Sequence, residues 1–290
     1  MSLLKTLAAT SDVLIVRNRT QVTRDLLENS EKLKLVARMG VGLDNIDVEA
    51  ASELGVVVVA GIGANAVSVA EHTVGLALNL YRGVCRLDRD VRAGVWNRSP
   101  GRELSGGTWG LLSAGATARA TGRVAKAMGM QVLAHDPYID SCDPEIQELG
   151  IRLVGMEDLA AKSDVVSVHL PATPETINTV DAQFFAQMKR DAILINCGRG
   201  EVVNEEALTK ALQAGQIYGA ALDVRKLEPP RQPDPIAMLE NVILTPHVAG
   251  ITAESQARIL DILCADIEAV LDGQAAQANV GSISIPRRER

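Results

Sequence analysis

The stretch Thr108-Trp-Gly-Leu-Leu-Ser-Ala-Gly-Ala-Thr-Ala118 decides how this chain is read. An apolar strand ends at Leu112, a turn of small residues follows, and a helical pattern runs on to Met128. A dinucleotide site needs that order: strand, glycine-rich turn, helix, and an acid closing the next strand. Against the GxGxxG fingerprint the turn reads SxGxxA. Gly115 takes the second position, where a side chain would block a pyrophosphate. Ala118 takes the third, where alanine still allows helix–strand packing. Ser113 replaces the first glycine, and at positive φ a serine is strained by roughly 1–2 kcal/mol. Asp136 closes the next strand 18 residues after Ala118, near the interval of about 20 expected for a ribose-binding acid. An acid there repels a 2′-phosphate and favours NAD over NADP; the other reading of Asp136 is an acid that merely starts an Asp-Pro turn.

Outward from this turn, short β-branched runs alternate with longer helical patterns. Strands are expected at 12–17, 35–38, 56–60, 108–112, 131–135, 165–169, 192–196, 218–223 and 242–245. Helices are expected between them, with long patterns at 69–92 and 253–271. Continuous apolar strands alternating with helices predict an α/β fold with parallel sheets covered on both faces. The Gly-, Ser-, Pro- and Arg-rich segment 96–107 reads as a linker, and residues 275–290, ending in Pro286-Arg-Arg-Glu-Arg290, read as a loose tail.

Composition narrows the function classes. The 290 residues are 47% apolar and 22% charged, the balance of a soluble globular protein of about two domains. Aromatics are only 2% and the net charge is −7. Few rings and an acidic balance argue against nucleic acid and anionic membrane as partners. The four cysteines show no ligand or disulfide spacing, so no metal is expected. No run is long enough to span a bilayer and no signal peptide is evident, so a cytoplasmic location is expected.

The second half is more specific. It contains Val168-His-Leu-Pro-Ala-Thr-Pro-Glu-Thr176, Ile195-Asn-Cys-Gly-Arg-Gly-Glu-Val-Val-Asn-Glu-Glu206, Gly219-Ala-Ala-Leu-Asp-Val224, Leu227-Glu-Pro-Pro230 and Asn241-Val-Ile-Leu-Thr-Pro-His-Val-Ala-Gly250. In this order the segments resemble the D-isomer-specific 2-hydroxyacid dehydrogenase family. Arg38-Met-Gly-Val-Gly-Leu-Asp-Asn-Ile-Asp47 and Asn65-Ala-Val-Ser-Val-Ala-Glu71 resemble its substrate-domain motifs, in the phosphoglycerate-dehydrogenase-like branch.

The resemblance implies roles. Arg199 stands where the family holds the substrate carboxylate and carbonyl, Glu228 where it pairs an acid with the catalytic histidine, and His247 where it has that histidine. Cofactor contacts are implied for Gly115, Ala116, Thr117, Asp136, Leu170, Cys197, Gly198, Arg199, Asp223, His247 and Gly250, with Asp223 near the carboxamide. Substrate contacts are implied for Arg38, Val41, Gly42 and Arg199. The types suit the chemistry. A histidine, with an ordinary pKa of about 6.5, exchanges a proton near neutrality. An acid beside it fixes its ring and stabilises the imidazolium. Arginine's planar fork matches a carboxylate. Arg38, and Arg17 near it, could pair with a second anionic group, so the expected substrate is a 2-hydroxy or 2-oxo acid, dianionic like a phosphoglycerate or sulfolactate.

The implied architecture is two Rossmann-like domains with a cleft between them: a discontinuous substrate domain, 1–98 and 249–290, and an NAD-binding domain, 99–248. The helix from Val69 is the expected homodimer element. Four departures stand out: Ser113; Gly61-Ile62 where the family has Thr-Pro; Arg190-Asp191 where it has Pro-Gly; and Arg225 where it has an aromatic. Before Asp12–Arg17 the family has two strands and a helix, so the substrate domain is expected to lack its first strands. A non-catalytic NAD(H)-binding regulator, or a degenerate paralogue, is the alternative reading.

Overall fold

The computed structural model describes residues 3–287. Packing divides the chain into two compact units, Met1–Asn65 with Ile251–Arg290, and Ala66–Gly250.

The first unit is built on three parallel strands, β1 (Val13–Val16), β2 (Leu35–Arg38) and β3 (Val57–Ala60), in that order. Side chains alternate across a strand, and the sheet uses both faces. Val36 and Val58 join one apolar cluster with Leu26, Leu27 and Leu33. Leu35, Ala37, Val57 and Val59 join another with Ile259 and Leu263 of the helix Ala253–Leu271. That helix begins where its sequence dictates: Thr252 and Ser255 form a reciprocal capping box. Gly61, where the family has threonine, is explained here, because a Cβ would sit 2.8 Å from Ile259.

The C-terminal stretch is not a loose tail. Asp266, buried within the last helix, accepts hydrogen bonds from the backbone amides of Gln277 and Ala278, each at 2.8 Å. Val280 then donates to the Val58 carbonyl, and Ala60 to that of Ala278, so the segment lies antiparallel along β3 and covers that edge. Ile283 is buried, and the Arg287 amide donates to the Gly55 carbonyl. The rest of the charged run, residues 288–290, lies outside the described residues.

The second unit is built on a seven-stranded parallel sheet: β4 (Thr108–Leu112), β5 (Gln131–His135), β6 (Arg152–Leu153), β7 (Val165–Val168), β8 (Ile193–Asn196), β9 (Gly219–Leu222) and β10 (Val242–Leu244). Their order is β10-β9-β8-β7-β4-β5-β6. This is the doubly wound arrangement, with its switch point between β4 and β7, where ligands bind beyond the strand ends. Neighbours along each strand feed opposite clusters. Leu111, Val165, Ile193 and Ala221 face one side, and Leu112, Val166, Leu194 and Ala220 the other.

Two expectations change here. The pattern at 69–92 forms two helices, Ala66–Arg82 and Val84–Arg92, separated by Gly83 at φ 63°. The first packs on the seven-stranded sheet through Val74, Leu76, Ala77, Leu80 and Tyr81, which share a cluster with Trp109 and Ala118. Residues 66–98, expected with the substrate domain, therefore belong to the second unit. The segment 96–107 is likewise not an interdomain linker. The Arg102 amide donates to the Tyr81 carbonyl, its guanidinium lies 5.2 Å from the Tyr81 ring centre, and it pairs with Asp191. Arg190-Asp191, in place of Pro-Gly, thus supplies the anchor for that segment.

Candidate active site

Six of the seven strands of the second unit lead at their C-terminal ends to residues singled out by sequence. Ser113 follows β4, Asp136 follows β5, Leu170 lies two residues beyond β7, Cys197 to Arg199 follow β8, and Asp223 follows β9. His247 lies in the loop after β10. A parallel sheet makes this convergence automatic, because every strand ends on the same edge.

At the glycine turn, Ser113 adopts φ 102°, so the strain anticipated from sequence is present. Its hydroxyl accepts from the Gly115 amide at 3.1 Å and donates to Asp136 at 3.4 Å, while the Ala114 amide donates to the same Asp136 oxygen at 2.9 Å. Asp136 is thereby held beside the turn. Arg119 reaches back to the Ala114 carbonyl at 2.6 Å and pairs with Asp143 and Glu145, which braces the turn from behind. The Arg119 guanidinium also holds the Asp143 carboxyl below the usual carboxylate range. No side chain caps the helix Ala116–Ala127 at Gly115. The first-turn amides, Ala116 and Thr117 among them, lack that partner, and they add to the positive end of the helix dipole. A Cβ on Gly115 would meet only the Ser113 hydroxyl, at 3.4 Å, so the approach to the turn is open. These residues fit an NAD pyrophosphate.

Gly198 is pressed against the loop after β7. A Cβ there would lie 2.9 Å from the Leu170 carbonyl, so only glycine brings Leu170, Cys197 and Arg199 this close. Burial pushes the Cys197 thiol up to about 12, which leaves it a neutral packing group. Arg199 extends from this turn, and one guanidinium nitrogen donates to the Gly198 carbonyl at 3.0 Å.

His247 and Glu228, the pair expected to transfer the proton, are brought together. His247 Nδ1 and Glu228 Oε2 are 2.8 Å apart, and both side chains remain solvent-accessible. His247 adopts φ 55°, an uncommon left-handed conformation that its surroundings must impose. Asp223 does so. It is 1% exposed. Its carbonyl accepts from the His247 amide at 2.7 Å, its Oδ1 from Val248 and the Thr245 hydroxyl, and its Oδ2 from Ala249. Gly250 ends this loop and this unit. Asp223, expected beside the nicotinamide, thus also scaffolds the histidine loop.

Two further histidines, His72 and His169, were not among the expected site residues. His72 extends the scaffold, with Nε2 3.2 Å from the Thr245 hydroxyl. His169 is buried, with Nε2 2.9 Å from the Ser167 hydroxyl and Nδ1 without a hydrogen-bond partner. His72 had no sequence signal because its partner lies far along the chain, whereas Ser167, the partner of His169, stands two residues before it on β7.

In the first unit, the expected substrate residues Arg38, Val41 and Gly42 share one loop. Arg38 is buried, and its Nε donates to the Gly42 carbonyl at 2.9 Å and its Nη1 to that of Met39 at 2.8 Å. A Cβ on Gly40, at φ 155°, would run into the guanidinium. Arg38 therefore shapes the loop that carries Val41 and Gly42. Among the described residues there is no group of acids, histidines and cysteines that could hold a metal, and no helix long and apolar enough to cross a membrane.

Known proteins share this arrangement. Residues 74–249 match the model of the D-isomer specific 2-hydroxyacid dehydrogenase NAD binding domain. The chain is 41% identical over 283 residues to the D-3-phosphoglycerate dehydrogenase of Methanocaldococcus jannaschii, covering 96% of this chain but 53% of that protein. The chain thus spans about half the length of the phosphoglycerate dehydrogenases it matches. It is 39% identical over 252 residues to the hydroxypyruvate reductase of Thermotoga maritima, covering 86% of this chain and 81% of that one. The D-lactate dehydrogenase of Aquifex aeolicus, solved with NAD and lactic acid, superposes with a TM-score of 0.82 at 29% identity, over 93% of this chain and 85% of that one. With its NAD-binding domain, glycine turn and histidine–glutamate pair, the chain belongs to the D-isomer-specific 2-hydroxyacid dehydrogenase family.

Proposed function

We propose that this protein is an oxidoreductase that moves a hydride between a 2-hydroxy acid and NAD. The observation that carries the reading is the 2.8 Å contact between His247 Nδ1 and Glu228. Glu228 occupies one ring nitrogen and leaves Nε2 to face a substrate hydroxyl. In the oxidative direction Nε2 takes the hydroxyl proton, and the imidazolium that forms is stabilised by Glu228. Arg199 would grip the carboxylate of the acid through its planar fork. The turn Ser113–Thr117 would hold the pyrophosphate of NAD and Asp136 its ribose, and the bound cofactor would supply the acceptor for the hydride of the hydroxyl-bearing carbon. In reduction the same residues work in reverse, and His247 returns the proton.

The finer reading is a phosphoglycerate-like dianionic acid, supported by the names of relatives at 41% and 38% identity. Arg38 shapes the loop of Val41 and Gly42 through the Met39 and Gly42 carbonyls, so its part in this reading is to position that loop rather than to bind a second anionic group. Two observations bear on the cellular and oligomeric setting. The four cysteines are free, in keeping with a reducing cytoplasm. The helix Val84–Arg92 buries none of its residues, and Val84, Val91 and Trp96 are exposed, which suits a homodimer contact.

A panel of D- and L-2-hydroxy acids with NAD, followed by NADH absorbance, tests the reading. We expect turnover on one D-acid and a loss of about 10²–10⁴-fold in His247→Gln. NADH binding without turnover on any acid would instead favour the non-catalytic regulator.

A further inference from the structure

Arg225 stands where an aromatic residue is expected, and its surroundings show why an arginine can take that place. The side chain is only 9% exposed, yet it is fully engaged. Nε and Nη2 donate to the two carboxylate oxygens of Glu205, each at 3.0 Å. Nη1 and Nη2 donate to the two oxygens of Asp234, at 2.7 and 3.1 Å. One guanidinium therefore makes two bidentate pairs, the strongest form of charge-assisted hydrogen bond open to it. Both carboxyls are held below their usual range. For Asp234 the cause is Arg225 itself. For Glu205, burial pulls upward, and the hydrogen bonds from Arg225 and the Lys226 amide overcome it.

The clamp joins three segments. Glu205 is the first residue of the helix Glu205–Gln213, which follows the turn carrying Arg199. Asp234 precedes the short 3₁₀ turn Pro235–Met238. Between Arg225 and Asp234 runs the loop that carries Glu228. Glu205 Oε1 also accepts the Lys226 amide at 2.9 Å. The Arg225 backbone sits so close to Gly200 that a Cβ there would fall 2.0 Å from the Arg225 carbonyl carbon. Most directly, the Arg225 amide donates to Glu228 Oε1 at 3.0 Å, while Glu228 Oε2 meets His247. The anchored backbone at residue 225 is what aims Glu228.

We infer that Arg225 is a positioning residue for the proposed reaction: its double clamp on Glu205 and Asp234 fixes the backbone amide that orients Glu228 toward His247. The inference rests on the oxidoreductase reading for its kinetic consequence, but not for its structural one. A displacement of about 1 Å at a catalytic group costs on the order of 10²-fold in rate. Loss of the clamp should therefore lower kcat while leaving KM little changed.

Two measurements on the full chain test this. The first is imidazole NMR without substrate. The chain has four histidines, so His247→Gln identifies the His247 signals. In Arg225→Met the Nδ1 resonance should move from its hydrogen-bonded position toward that of free imidazole. The second is a double-mutant cycle. Arg225→Met should lower kcat about 10–100-fold, with KM for the hydroxy acid changed by less than about 3-fold. In a Glu228→Gln background the same change should cost less than about 3-fold. If Arg225→Met fails to fold, Asp234→Asn removes half the clamp and should give intermediate shifts in both readouts. A folded clamp variant whose His247 signals match wild type overturns the inference, as does a fully additive cycle. A wild-type protein that turns over no hydroxy acid counts against the oxidoreductase reading alone, and the NMR comparison still decides the clamp.

Discussion

At the scale of single residues, Ser113 shows two opposing effects at one position. Its φ of 102° favours glycine, and a residue with a Cβ there is strained by about 1–2 kcal/mol. Its hydroxyl offsets part of that cost through Gly115 and Asp136, at about 0.5–1.5 kcal/mol per hydrogen bond. A pair of variants separates the two. Ser113→Ala keeps the strain and loses the hydrogen bonds, so it should destabilise by about 1 kcal/mol. Ser113→Gly loses both, and should fall within about 1 kcal/mol of wild type. Chemical denaturation measures the difference, and Ser113→Ala being the more stable of the two would refute the account. The strain was legible in the sequence because a serine stood in a glycine position. The hydrogen bonds were not, because they depend on where the end of β5 places Asp136. Asp223 behaves the same way. Its sequence position marked it for the site, but only the fold shows the amides of residues 248 and 249 converging on its oxygens.

At the scale of elements, strand positions were the most legible feature. The expected strands at 35–38, 108–112 and 131–135 match β2, β4 and β5 residue for residue, because their apolar runs are bounded by clear turn residues. β6 was missed. It has two residues and no apolar run, and it exists only by pairing with Leu133 and Ala134. The helix at 69–92 was read as one element because the apolar pattern continues across Gly83, whose left-handed backbone no periodicity count detects. The C-terminal stretch was misread for a similar reason: its order comes from a buried acid eleven residues upstream. This yields a prediction. Asp266→Ala removes the acceptor of the Gln277 and Ala278 amides, which are only partly shielded from water, at about 0.5–1.5 kcal/mol for each hydrogen bond lost. The tail should detach from β3 before the unit unfolds, read as faster limited proteolysis near residues 276–284 and loss of amide-exchange protection at Val280. Protection at Val280 equal to wild type would refute that role for Asp266.

At the scale of the whole molecule, buried ionisable groups make stability depend on pH, and His169 sets the earliest loss. Burial lowers its pKa from the ordinary value of 6.5 to about 3, so the folded chain holds the ring neutral. In the unfolded chain the ring protonates below about pH 6.5. A depressed pKa means that its contribution is fully present above that pH and is lost as pH falls toward 3. The slope is about 1.4 kcal/mol per pH unit. The paired carboxylates Asp143, Asp234 and Glu205 also sit below their ordinary range, but their contributions begin to fall only near their unfolded values of about 4. Between about pH 6 and 4.5 the histidine should therefore dominate the acid slope. Trp109 is a natural reporter for the unit concerned. It is fully buried and donates to the Ser167 hydroxyl that also meets His169, whereas Trp96 is 80% exposed. Urea unfolding followed by tryptophan fluorescence at several pH values should give a declining midpoint in wild type. His169→Gln is expected to start from a lower midpoint, since it disturbs the Ser167 pairing, but to decline less steeply across that window. The slope is the test: parallel declines in the two proteins would mean that His169 is not held neutral inside the sheet.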